Sequence, residues 1–92
     1  MSRIERRIAK VSAELEAMAR EEELLRGELS FHRSLHEDAS RDAAVYDTPI
    51  ERENAYETRK DVTNFERALA DLEARRARLL EKRDALLDRM GR

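Results

Sequence analysis

Asp47-Thr48-Pro49-Ile50-Glu51 is the stretch on which the reading of this chain turns. Proline disfavours helical geometry at the residue before it, so a helix arriving from the amino-terminal side ends before Thr48. The same residues start a second helix. Thr48 stands as an N-cap, Pro49 at the first helical position and Glu51 at the third. The threonine oxygen can accept from the Glu51 amide, while the Glu51 carboxylate reaches back to the Thr48 amide.

On either side of this break, apolar residues recur at alternating steps of four and three. The first arm reads Ile4, Ile8, Val11, Leu15, Met18, Glu22, Leu25, Leu29, His32, His36, Ala39, Ala43, Tyr46; the second reads Ala55, Thr58, Val62, Phe65, Leu69, Leu72, Arg76, Leu79, Arg83, Leu86, Met90. A 3.5-residue repeat keeps one narrow stripe facing a partner helix. Two such arms joined by so short a break are antiparallel neighbours. The expectation is an all-α fold: an antiparallel coiled-coil helical hairpin forming one domain over residues 1–92. Helix 1 covers about 3–45, the turn 46–48 and helix 2 about 49–90, ended by Gly91.

Folding about Asp47 sets Ile4 near Met90, Ile8 near Leu86, Leu15 near Leu79, Leu25 near Leu69, Leu29 near Phe65 and Ala39 near Ala55. Large residues face large ones, and small ones meet near the turn, where the helices approach closely. The polar members fit the same register, because Glu22 and Arg76 fall in adjacent layers and can pair. On the solvent face, Glu16–Arg20, Glu37–Arg41 and Asp71–Arg75 have the acid-first spacing that contributes ~0.3–0.5 kcal/mol each. Gly27 lies on the outer face and weakens helix 1 locally by ~1 kcal/mol relative to alanine.

Composition agrees with two helices and little else. With 43% charged residues, four aromatics, no tryptophan, two glycines and one proline, 92 residues allow a thin apolar core and no enzyme cleft. There is no cysteine, which excludes disulfides, thiolate chemistry and Cys-ligated metal sites. The longest apolar run is Ala43-Ala44-Val45, too short to span a bilayer, and the expected location is cytoplasmic.

The net charge of −2 conceals segregation. Residues 1–10 carry +3 and residues 74–92 carry +4, whereas residues 11–36, 37–61 and 62–73 carry −3, −4 and −2. In a hairpin the two basic segments meet at the open end, forming a base of Arg3, Arg6, Arg7, Arg75, Arg76, Arg78, Lys82 and Arg83 opposite an acidic tip. The small footprint and acidic pI give no reason to expect tight nucleic-acid binding.

One two-helix seam leaves further apolar residues uncovered. Leu24, Phe31 and Leu35 form a row on helix 1, and Leu80 and Leu87 a row on helix 2. Such rows imply a second interface: self-association of two hairpins into a four-helix bundle, or docking of a different protein.

Few constellations carry chemistry. His32 and His36 stand one turn apart, a spacing at which two imidazoles share a metal, with Glu57 and Asp61 as possible further ligands across the seam. The Glu-x-x-His motif of di-iron bundles and the His-Glu-x-x-His motif of zinc proteases are both absent. Histidines at seam positions also serve as register-setting polar residues, and buried imidazoles disfavour charging, which would make the seam pH-sensitive. The expectation is no bound metal and no cofactor. Paired carboxylates lie on helix surfaces without a concavity, there is no phosphate loop, and no nucleophile stands beside a base; the reading is therefore non-enzymatic.

The turn region does match a known pattern. Glu53-Asn54-Ala55, followed by Tyr56 and preceded by Asp47 and Glu51, resembles the amino-terminal coiled-coil finger of the Gre transcript-cleavage factors, whose tip runs Asp-x-x-Glu-Asn-Ala-x-Tyr. Here Ile50 replaces the acid three positions before Glu53, Tyr56 comes one residue early, and the family's globular carboxy-terminal domain has no counterpart in these 92 residues. The resemblance implies a bacterial protein whose finger enters the secondary channel of RNA polymerase, with Asp47, Glu51 and Glu53 as the tip acids near the catalytic magnesium. The leading expectation is a protein–protein interaction module, dimeric in solution, with RNA polymerase as its larger partner. The alternatives are a binder of nucleic acid or of an acidic partner through the basic base, and a purely structural self-associating coiled coil.

Overall fold

A computed structural model describes residues 1–92, which form two helices and no strand. Helix α1 runs Arg3–Tyr46 and α2 runs Pro49–Met90, of 44 and 42 residues. Two residues join them, so the chain is an all-α helical hairpin. No helix is long and apolar enough to cross a membrane.

Each helix end is built from identifiable groups. At the start of α1, the Glu5 amide donates to Ser2 Oγ at 3.1 Å and the Ser2 amide donates to Glu5 Oε1 at 3.2 Å, a complete capping box. Its Ser-x-x-Glu spacing is the sequence signature of such a box, lying outside the turn region on which the expected caps centre. At the other end, α1 extends one residue beyond the expected limit to include Tyr46. The Asp47 amide still donates to the Ala43 carbonyl at 3.0 Å, and the helix stops because Asp47 is left-handed, with φ 46°. Aspartate is among the few non-glycine residues that adopt this geometry readily. Gly91, in contrast, has no positive φ, so α2 ends in a plain turn.

The chain divides into two compact units, residues 1–23 with 70–92 and residues 24–69. In the first, Val11, Leu15 and Leu86 form a buried cluster, with Ile8, Leu79 and Leu80 packed against it. Leu72 is buried as well. The packing agrees with the expected Ile8–Leu86 and Leu15–Leu79 layers. Leu80 departs from the expectation of an outer row, because it is half-buried on the inner cluster. A straight helix drifts ~20° per heptad against a 3.5-residue repeat, so consecutive leucines such as Leu79-Leu80 widen the stripe rather than start a second one. The polar layer forms as its register demands: Arg76 Nη1 donates to Glu22 Oε2 at 3.2 Å, and the Glu22 side chain is only 13% exposed. Arg83 is half-buried with Nε unpartnered, its methylenes serving as packing.

In the second unit Leu29 and Leu69 are buried, and Leu25, His32, His36, Ala39, Ala43, Ala55, Thr58, Val62 and Phe65 are half-buried along the seam. Phe65 stacks on His32, with ring centroids 4.7 Å apart and planes 23° from parallel. Outside the seam, Arg33 and Glu66 approach to 3.6 Å, both more than half exposed, a pairing that contributes ~0–1 kcal/mol.

Because the core is this thin, single truncations should cost a large share of the stability. Leu29→Ala, Leu69→Ala and Leu86→Ala should each destabilise by ~2–4 kcal/mol in urea denaturation. Arg33→Ala should stay within ~0.5 kcal/mol. Equal midpoints for leucine and arginine variants would place the seam on another face.

Candidate functional site

The turn presents the acids that the sequence singles out, in three different states. Asp47 is held by Arg52, whose Nη1 donates to the Asp47 carbonyl at 2.9 Å and to Asp47 Oδ1 at 2.6 Å. This ion pair reaches across the two-residue connection and secures the left-handed residue. Nothing in helical spacing announces it, since the partners are five apart with a turn between them. Glu51 lies on the inward row that continues through Ala55 and Thr58 and is half-buried. Its amide donates to Thr48 Oγ1 at 3.3 Å, but its carboxylate does not return to the Thr48 amide, so only half of the expected capping box forms. Glu53 is exposed and makes no ion pair. Of the three acids, Glu53 alone offers a carboxylate with neither a cationic partner nor a place on the seam.

Around these acids the surface is apolar. Val45, Tyr46 and Ile50 are 70%, 65% and 70% exposed. Tyr46 was expected on the seam, but α2 begins only at Pro49, so nothing stands opposite it. Tyr56, on the first turns of α2, is exposed too. The turn therefore presents exposed apolar side chains beside the exposed Asp47–Arg52 pair and one unpaired acid, Glu53, where net charge alone suggested a uniformly acidic surface.

The two histidines have separate roles. His36 Nδ1 lies 3.0 Å from Thr58 Oγ1 and its Nε2 lies 3.3 Å from Ser40 Oγ. The Thr58 hydroxyl in turn donates to the Asn54 and Ala55 carbonyls, at 2.9 and 3.1 Å. In the neutral ring this network fixes Nδ1–H as the donor to Thr58 and leaves Nε2 to accept from Ser40. His32 is stacked on Phe65 and edge-on to Phe31. Its Nε2 is 3.7 Å from Glu28 and its Nδ1 is 4.0 Å from Asp61, buried and without a hydrogen bond. No three His, Asp or Glu side chains converge on a point that could hold a metal ion, and Glu57 is exposed.

The remaining candidates also separate. On α1, Leu24, Phe31 and Leu35 are exposed, as is Leu87 on α2, while Leu80 is withdrawn into the core. Among the basic residues, Arg3, Arg6, Arg7, Arg75, Arg78 and Lys82 are exposed; Arg76 is committed to Glu22 and Arg83 is half-buried.

One substitution separates the two seam imidazoles. His32→Phe keeps the stack on Phe65 and removes an unpartnered buried nitrogen, and should stabilise the chain by ~1 kcal/mol. His36→Phe breaks the Ser40–His36–Thr58 chain of hydrogen bonds and should destabilise it by ~1 kcal/mol. Urea midpoints at neutral pH read the difference, and shifts of the same sign would contradict these assignments. Comparison of the chain with family models, with curated proteins and with solved structures found no match.

Proposed function

We propose that this chain is a non-enzymatic interaction module of the bacterial cytoplasm that inserts the turn end of its hairpin into a larger protein machine. The leading partner is RNA polymerase, and the activity is regulation of transcription. The observation that carries this reading is the state of Glu53: exposed, unpaired, and followed by Asn54-Ala55 immediately after a tight two-residue turn. This is the part of the chain that resembles the Gre finger. Asp47, tied to Arg52, serves as a structural acid in this reading, and Glu51 as part of the cap. The three acids do not form a metal site among themselves, so any magnesium they approach is one that the partner already holds.

The reading includes self-association through Leu24, Phe31 and Leu35, whose exposure leaves that row without cover. Binding of nucleic acid through Arg3, Arg6, Arg7, Arg75, Arg78 and Lys82 is the competing function. It predicts a steep loss of binding with added salt, which apolar docking does not.

The decisive experiment measures binding to purified bacterial RNA polymerase, then transcript cleavage and elongation. The wild type should bind and alter one of these activities. Glu53→Gln should reduce that effect at least about tenfold, a loss of ~1.4 kcal/mol, with unchanged helicity. Asp47→Asn should act mainly on stability, because its partner is Arg52. No binding by the wild type ends the polymerase reading. Binding and activity that ignore Glu53→Gln reduce the tip acid to a solubilising group.

A further inference from the structure

We propose that two copies of this chain pair antiparallel, helix α1 against helix α1, about a two-fold axis at Phe31. The inference rests on reading the Leu24–Phe31–Leu35 row as a self-association face, and it specifies how that face mates.

The row itself needs cover: Leu24, Phe31 and Leu35 stand 72%, 58% and 39% exposed along one face of α1. Only six side chains are buried, none of them completely. A second copy is the occupant that the residues themselves describe, because the row is complementary to its own reverse.

Successive steps of three and four from Phe31 follow one outer face of α1. Four residues before Phe31 stands Gly27, whose missing Cβ would meet no atom within 4 Å; four after it stands Leu35. Reversal about Phe31 seats Leu35 of one copy in the Gly27 notch of the other, twice by symmetry. About three turns out on either side are Arg20 and Asp42, both exposed, which meet as opposite charges. Ala17 and Val45, one turn further, again match small to large. The one unmatched pair is Leu24 with Asp38, and Arg41 draws the Asp38 carboxylate aside at 3.4 Å.

A parallel pair with its axis along the helices would set each residue against its own copy. Arg20 would face Arg20, Asp38 Asp38 and Asp42 Asp42, and the Gly27 notches would face each other empty. Like charges across an interface suppress the wrong arrangement, and opposite ones set register. The axis at Phe31 also makes the contact isologous and closed, giving a dimer rather than a filament. Such a dimer takes Val45 into the interface and leaves Tyr46, Ile50 and Glu53 uncovered.

The chain has no cysteine, so single introduced cysteines report geometry cleanly. Sedimentation equilibrium at about 100 µM should give a dimer, a concentration at which weak micromolar pairing is saturated. Gly27→Leu fills the notch while improving helix propensity. It should weaken dimerisation while raising the thermal stability of the monomer, an opposition that misfolding would not produce. Arg20→Glu and Asp42→Arg should each weaken dimerisation roughly tenfold, two symmetry-related pairs being lost at once, and the double variant should recover. Under oxidation, an equimolar mixture of Ala17→Cys and Val45→Cys chains should form the mixed disulfide, with little cross-linking of either variant alone. Cross-linking of each variant only to itself would overturn the antiparallel arrangement while preserving the dimer. A monomer for the wild type would end both the dimer and its orientation. A dimer indifferent to Phe31→Ala and Gly27→Leu would place the interface on another face and overturn the proposal.

Discussion

The two-residue connection Asp47-Thr48 constrains the seam that flanks it, and the exposed Asp47–Arg52 pair that spans it adds only ~0–1 kcal/mol. An aspartate at φ 46° ends α1, and the guanidinium that grips both its carbonyl and its carboxylate belongs to the first turn of α2. The turn is thus stapled from both sides while Thr48 caps the new helix. With the connection this short, a slip of one residue would turn each apolar stripe by ~100° away from its partner.

A seam set in this way carries little apolar burial, so its polar layers must be satisfied by local chemistry. Glu22 and Arg76 answer one another, and His36 is bracketed by Ser40 and Thr58. His32 compensates differently: an aromatic stack replaces the hydrogen bond that its Nδ1 lacks. Polar groups at such positions contribute less net stability than leucines would, but they penalise misregister, because a shifted partner leaves each of them unpaired.

Periodicity carried the helices, the seam and the Glu22–Arg76 layer, since all three depend on spacing along an ideal helix. It could not carry what depends on how two helices end. Tyr46 continues the inward repeat of α1, but the repeat says nothing of where α2 begins, and the residue is left uncovered. Leu80 looked external on a strict heptad and became internal through the drift of a straight helix. The Arg52 clamp joins residues across a turn and has no periodic signature at all. The Ser2–Glu5 capping box is different, because its Ser-x-x-Glu signature is written in the chain. Of the site, the row on α1 was legible from apolar spacing, whereas the fate of each tip acid was not.

That last point shows the limit of charge counting. Residues 37–61 carry a net −4, yet a partner meeting the turn encounters Val45, Tyr46 and Ile50 before any unpaired acid except Glu53. The magnitudes decide which dominates. Full desolvation of a large apolar side chain contributes ~1.5–3 kcal/mol, and Tyr46 and Ile50 flank the turn exposed. A solvated carboxylate answering a rim cation adds ~0.2–1 kcal/mol, and less as salt rises. If the tip docks as proposed, its affinity would reside in the apolar residues, and Glu53 would act through position, by orienting the hairpin or by reaching a charge that the partner keeps out of water.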